Sequence, residues 1–219
     1  MLEPDRTYSI KEIGDLKDFV TVAYVIIDDI YQKVTPTYIK NRCNINDSIL
    51  SDSEIITISI VGELLTIDSE NAWFSFCKKN MKDLFPKFCD RSRFNRTRRN
   101  LHAVIEEIRK ELSSLTELAE QPYRVSEKGI ELLPVQKNNS KVQFPKAIRQ
   151  LIFKLRRRIE TTASQLTQQL NIEQVLAKSF WGLQVRIKTK LLAYNLCYYI
   201  NKLIGRDINI SRIKHLVFG

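Results

Sequence analysis

The stretch LRRRIETTASQL, Leu155 to Leu166, lies in a longer run from Lys146 to about Leu170 in which Ile148, Leu151, Ile152, Leu155, Ile159 and Leu166 recur at the spacing of one helical face. The period predicts a long amphipathic helix. Glu160 follows Ile159, beside the apolar stripe and not opposite it, directly after Arg156, Arg157 and Arg158. On the residues alone it reads as a helix-surface acid paired with Arg156 or Arg157 one turn away. No aspartate occurs between Asp90 and Asp207.

Outward from this helix, a second long one is predicted near Ser179 to Ile204. Phe180, Leu183, Ile187, Leu191, Tyr194 and Tyr198 form its expected buried stripe, which leaves Arg186, Lys188, Lys190 and Lys202 to solvent or phosphate. Upstream, residues 113–145 read as a junction. Pro122 and the segment PVQKNNSKVQFP, Pro134 to Pro145, are loops around one short strand at Ile130 to Val135. Its one obvious partner is Tyr123 to Val125, and an isolated strand pair is marginal in water, so little or no sheet is expected.

The first 112 residues read as helical. Ser9 with Glu12 forms a capping box for a helix through about Tyr31, with Leu16, Phe19, Val20, Ala23 and Ile27 on one stripe and Pro36 past its end. Ser51 with Glu54 repeats the signal and opens a helix from Asp52 to about Leu65. After the short break Thr66 to Asp68, Ser69 caps a third helix holding Trp73, Phe74, Phe76 and Cys77. So short a turn between two helices fits a helix-turn-helix, and fits an ordinary helical hairpin as well.

A fourth helix, about Ser92 to Leu112, is SRFNRTRRNLHAVIEEIRKEL. Phe94, Leu101, Val104, Ile105, Ile108 and Leu112 fix its buried face, while Arg96 and Arg99 project to the other side with Arg93 and Arg98 flanking and Arg91 just ahead. Cations crowded into first turns run against the helix dipole, and phosphate oxygens would relieve both the guanidinium groups and the free N–H groups. The competing reading is an arginine-rich helix end bridged to acids such as Asp83 and Asp90.

Charge is distributed unevenly along the chain. Residues 1–90 carry 10 Lys and Arg against 15 Asp and Glu, net −5, and residues 91–219 carry 25 against 10, net +15. A basic segment of this kind is the usual footprint of phosphate binding, although a solvated basic surface has the same composition. The cysteines at 43, 77, 89 and 197 lack paired spacing and only His102 and His215 are present, which argues against zinc. Cys77 and Cys197 are expected as small core residues. No signal peptide and no membrane span is read, and the expected location is cytoplasmic.

Two blocks carry a family resemblance. LSDSEIITISIVGELLTIDSENAWFSFCKKNMKDLFPKFCDRSRFNRTRRNL, Leu50 to Leu101, resembles the N-terminal region, and RRRIETTASQLTQQLNIEQVLAKSFWGLQVRIKTKLLAYNLCYYINKLIG, Arg156 to Gly205, the C-terminal end, of the three-acid (DDE) transposases of the bacterial insertion-sequence family numbered nine-eight-two. Between them only YRV, Tyr123 to Val125, and GIELLPV, Gly129 to Val135, are similar to what that family places there. The resemblance implies that Glu160 is the third catalytic acid, that both aspartates are missing, and that most of the catalytic core is deleted. Where related transposases carry tyrosine, arginine and lysine around the glutamate, this chain has Phe153, Arg156 and Thr167, and Ala163 stands where an aromatic residue is usual.

The expectation is therefore a mainly α protein: a helical, helix-turn-helix-like DNA-binding region (1–112), a junction with one short strand (113–145) and a C-terminal helical remnant of an RNase H-like catalytic domain (146–219). The remnant is expected to be less well ordered than the first region, with the Lys146 and Ser179 helices pairing as a hairpin, and with Gln136 to Gln143 cut first by protease. Expected DNA contacts are Arg91, Arg93, Arg96, Arg98, Arg99, Arg156, Arg157, Arg158, Lys188 and Lys190. Intact relatives use Mg²⁺ by resemblance; none is expected here, nor any metal site. The expected partner is double-stranded DNA, including the terminal inverted repeats of a transposon. The other reading is a protein-interaction subunit that self-associates or forms mixed oligomers with, and inhibits, an intact transposase through apolar surface left by the deletion.

Overall fold

A computed structural model describes residues 13–43, 45, 47–116 and 144–205. Among them are eight helices and no strand: α1 (Leu16–Val34), α2 (Thr37–Lys40), α3 (Asp52–Leu64), α4 (Glu70–Asn80), α5 (Arg91–Asn100), α6 (His102–Leu115), α7 (Lys146–Leu170) and α8 (Phe180–Leu203). Local chemistry sets most of these bounds. Ser51 and Glu54 form a reciprocal capping box, with the Glu54 amide donating to Ser51 Oγ at 3.2 Å and the Ser51 amide to Glu54 Oε2 at 2.6 Å. Ser69, Asp90 and Ser179 cap α4, α5 and α8. Asn171, left-handed at φ 51°, ends α7.

Two N-terminal expectations change. The first helix begins at Leu16 on an Asp15 cap, with the Asp18 amide donating to Asp15 Oδ1 at 2.8 Å. Ser9 and Glu12 lie outside the described residues. The helix expected from Ser92 to Leu112 is two, α5 and α6. Leu101, at ψ 6°, turns the axis while its amide still donates to Thr97 O at 3.0 Å, so the backbone bonding runs on through the bend. The apolar stripe crosses it unbroken, because Phe94, Leu101, Val104, Ile105, Ile108 and Leu112 are all buried. The strand expected at Ile130 to Val135, its partner at Tyr123 to Val125, and Gln136 to Gln143 also lie outside the described residues.

α1, α3, α6 and α8 pack into one core around α3. α3 is apolar on most sides and nearly all of it is buried, as a helix enclosed by others requires. Gly62 is part of that closeness: a Cβ there would meet the Trp73 indole of α4 at 2.9 Å. Phe74 of α4 meets Phe94 of α5 edge to face at 5.1 Å between centroids, which ties the arginine-bearing helix to the core.

α8 is therefore packed among the N-terminal helices, and its expected stripe is rotated. Tyr194 and Tyr198 are buried as expected, but Phe180 is 74% exposed, and the buried face runs through Val185, Thr189, Leu192, Leu196 and Ile200. The reason is an ionic cluster. Arg186 and Lys190, expected at the surface, are buried against Glu63 of α3: Arg186 Nε lies 2.9 Å from Glu63 Oε1 and Lys190 Nζ 2.7 Å from Glu63 Oε2. Arg186 also reaches Asp68 at 3.2 Å, and Lys190 donates to the Leu170 carbonyl at 2.7 Å. Charges can be buried at this cost only when paired and hydrogen-bonded, and here they are both.

Among the described residues α7 meets the core through its C-terminal end, where Gln165 and Leu170 are buried. The Tyr194 and Tyr198 hydroxyls donate to Gln165 Oε1 at 2.9 and 3.0 Å, the local part of the expected hairpin. Ahead of that, Ile148, Leu151, Phe153 and Ile159 are exposed. Among the described residues no helix is long and apolar enough to cross a membrane.

Candidate nucleic-acid interface

α5 carries five arginines in ten residues, and the structure sorts them. Arg98 turns inward: it is buried, with Nη2 3.3 Å from Glu70 Oε1 and its guanidinium 6.0 Å from the Phe94 ring centre. Burial draws its pKa down from the ordinary value, against the pull of Glu63 and Glu70. It does not face outward as expected. Arg91, Arg93, Arg96 and Arg99 do remain on the outer side. Arg91 donates to Asn71 Oδ1, Arg93 Nη2 to the Asp47 carbonyl at 3.3 Å, and Arg99 Nε to Asn95 O of its own helix at 3.3 Å. Among the described residues Arg96 makes no hydrogen bond or ion pair, and none of these four pairs with Asp83 or Asp90. Asp83 is taken by Lys17.

The electrostatic argument from the helix start also changes. Asp90 caps α5, with the Arg93 amide donating to its Oδ1 at 2.8 Å, so that N–H needs no phosphate. The bend at Leu101 places Arg98 and Arg99 in the last turn of α5, where the dipole favours cations. The arginine cluster is therefore less strained than a continuous helix would make it. What stays unneutralised is the outer stripe.

Beside that stripe is a cleft of about 500 Å³ between the loop after α2 and the first turns of α5. Arg42, Arg93 and Arg96 line it, with Ser48, Asp90 and Thr97. Sequence reasoning missed Arg42 and the loop residues, since no periodicity marks them and their neighbours on α5 lie some fifty residues on. Arg42 is held by Asp52, to which both terminal nitrogens donate at 2.5 Å, and Asp52 also accepts from the Tyr31 hydroxyl at 2.8 Å.

On α7, Arg156, Arg157 and Arg158 are exposed. Glu160 is exposed too and sits 2.7 Å from Arg156 Nε, one turn away. No known protein family, curated protein or solved structure matches this chain. Among the described residues no three or more His, Cys, Asp or Glu side chains converge, and the Glu160 carboxylate pairs with Arg156. Lys188 is half-buried near Glu106, whose carboxyl is held below the ordinary range by Arg109 first and by Lys188 and Lys110 to a smaller degree. Lys190, offered as a DNA contact, has no exposed surface and serves the core.

Proposed function

We propose that this chain is a transposase-related protein that holds double-stranded DNA, at a bacterial nucleoid, without cutting or joining it. One observation carries the reading: α5 directs Arg91, Arg93, Arg96 and Arg99 outward, none is neutralised by a carboxylate, and Arg96 has no partner among the described residues. Exposed guanidinium groups along one short helix suit phosphate oxygens, which fix a protein on a duplex without reading bases. The ion pair between Glu160 and Arg156 supports the catalytically silent half of the proposal.

The test is duplex binding measured by fluorescence anisotropy across a salt series. Replacing Arg96 and Arg99 with Ala should weaken binding to every sequence alike and flatten the slope of log K against log salt by about 0.9 for each phosphate that is no longer neutralised. An unchanged slope with an intact fold returns these residues to a solvated surface. The exposed apolar residues of α7, Ile148, Leu151 and Ile159, favour a second reading, a subunit that joins mixed oligomers with an intact transposase. Sedimentation of the chain alone and with such a partner distinguishes the two.

A further inference from the structure

We propose that the cleft between the loop after α2 and the start of α5 seats one backbone phosphate of a bound duplex, with Arg96 and Thr97 as its donors and Arg42 and Arg93 as its fixed walls. The inference rests on the DNA-binding reading and goes beyond it by naming the seat. Arg93, Arg96, Thr97 and Asn100 follow the i, i+3, i+4, i+7 spacing of one helix face, on the side of α5 away from buried Phe94 and Arg98. Three guanidinium groups thus open on one cleft of about 500 Å³, within the range of about 300–1,000 Å³ that holds ligand-sized groups.

Two of the three are already positioned from behind. Arg42 is clamped by Asp52 and by the Ile39 carbonyl at 3.1 Å, and Arg93 by the Asp47 carbonyl at 3.3 Å. Like charges brought together repel, and an anion between them offsets that repulsion. Asp90, which caps α5 at the cleft edge, keeps its charge, and Asp52 pairs with Arg42, so the three guanidinium groups face two carboxylates and the cleft keeps a net positive charge that rests on Arg93 and Arg96. Neither the Arg96 guanidinium nor the Thr97 hydroxyl makes a hydrogen bond among the described residues, so both are free for a phosphate oxygen.

Cys43 lines the same cleft and is exposed, whereas Cys77, Cys89 and Cys197 are buried, so alkylation of the native protein reports on this cleft. With duplex at ten times its Kd, iodoacetamide should modify Cys43 about tenfold more slowly, because only the unoccupied fraction reacts. Arg96→Gln should abolish the protection and lower the salt slope by about 0.9. Arg99→Ala, outside the cleft, should weaken binding yet keep the protection at saturating duplex. Duplex binding with Cys43 alkylated at an undiminished rate, or protection that survives in Arg96→Gln, overturns the cleft alone and leaves the DNA reading standing. No binding to any duplex at low salt overturns both.

Discussion

Lys190 has no exposed surface and Glu63 almost none, and the two meet at 2.7 Å beside Arg186 in one buried ionic cluster. Burial pushes the Glu63 carboxyl up, but Arg186 and Lys190 outweigh it and leave the group below its ordinary value of 4.5. A carboxyl depressed by folding stabilises the native state above that ordinary value, and the contribution is lost as pH falls through the folded value. Urea midpoints should accordingly fall on acidification below about pH 4.5, and Glu63→Gln should lack that part of the fall. At neutral pH the same substitution leaves two buried cations facing an amide and should cost about 3–5 kcal/mol by urea unfolding. Glu160→Gln, which removes an exposed pair one turn long, should cost no more than about 0.5 kcal/mol. Nor should it change nicking of transposon-end DNA in Mg²⁺ or Mn²⁺, which is expected at background in both proteins. Metal-dependent cleavage abolished by Glu160→Gln sinks the silent reading. The surface pairing of Glu160 was legible in sequence because its partner is one turn away. The roles of Arg186 and Lys190 were not, because their acids lie more than a hundred residues upstream.

Helix starts were legible at two local caps. Ser51 with Glu54 and Ser69 mark α3 and α4, whereas the equally local caps Asp15 and Asp90 were passed over, and Ser51→Ala should cost about 1 kcal/mol with no shift elsewhere in the core. The bend at Leu101 left no such trace, since the apolar stripe runs through it and only a backbone angle changes. Which face an element buries was harder still. α7 shows a clean stripe and keeps much of it in solvent, while α8 buries a face that includes two cations. Amide hydrogen exchange makes the contrast measurable: amides of α8 from Val185 to Ile200 should be protected to near the global unfolding free energy, and those before Leu155 in α7 should exchange through local opening. Equal protection of the two would mean that the exposed stripe of α7 is covered in solution.

At the scale of the molecule, the division of charge along the chain, −5 before residue 91 and +15 after it, marks less of a DNA-binding half than its composition suggests. Part of the excess is consumed internally: Arg98, Arg186 and Lys190 meet Glu70, Glu63 and Asp68 of the acidic segment. Among the described residues the outer arginines of α5 pair with no carboxylate. A measured salt slope that matches the outer arginines of α5, and does not grow with the total charge, is the expected outcome. Composition could show that the halves are complementary in sign, but only the packing shows that they complement one another.

Because α8 is set among α1, α3 and α6 by charges that neither segment can shelter alone, the protein should behave as a split system. Residues 1–116 and 144–219, produced together as separate polypeptides with a tag on one, should be recovered as a paired assembly, and Glu63→Gln should weaken that reassembly. Either piece made by itself should lack cooperative unfolding. A lone 1–116 piece that melts cooperatively as a monomer would refute this, and would make the N-terminal helices a self-sufficient module.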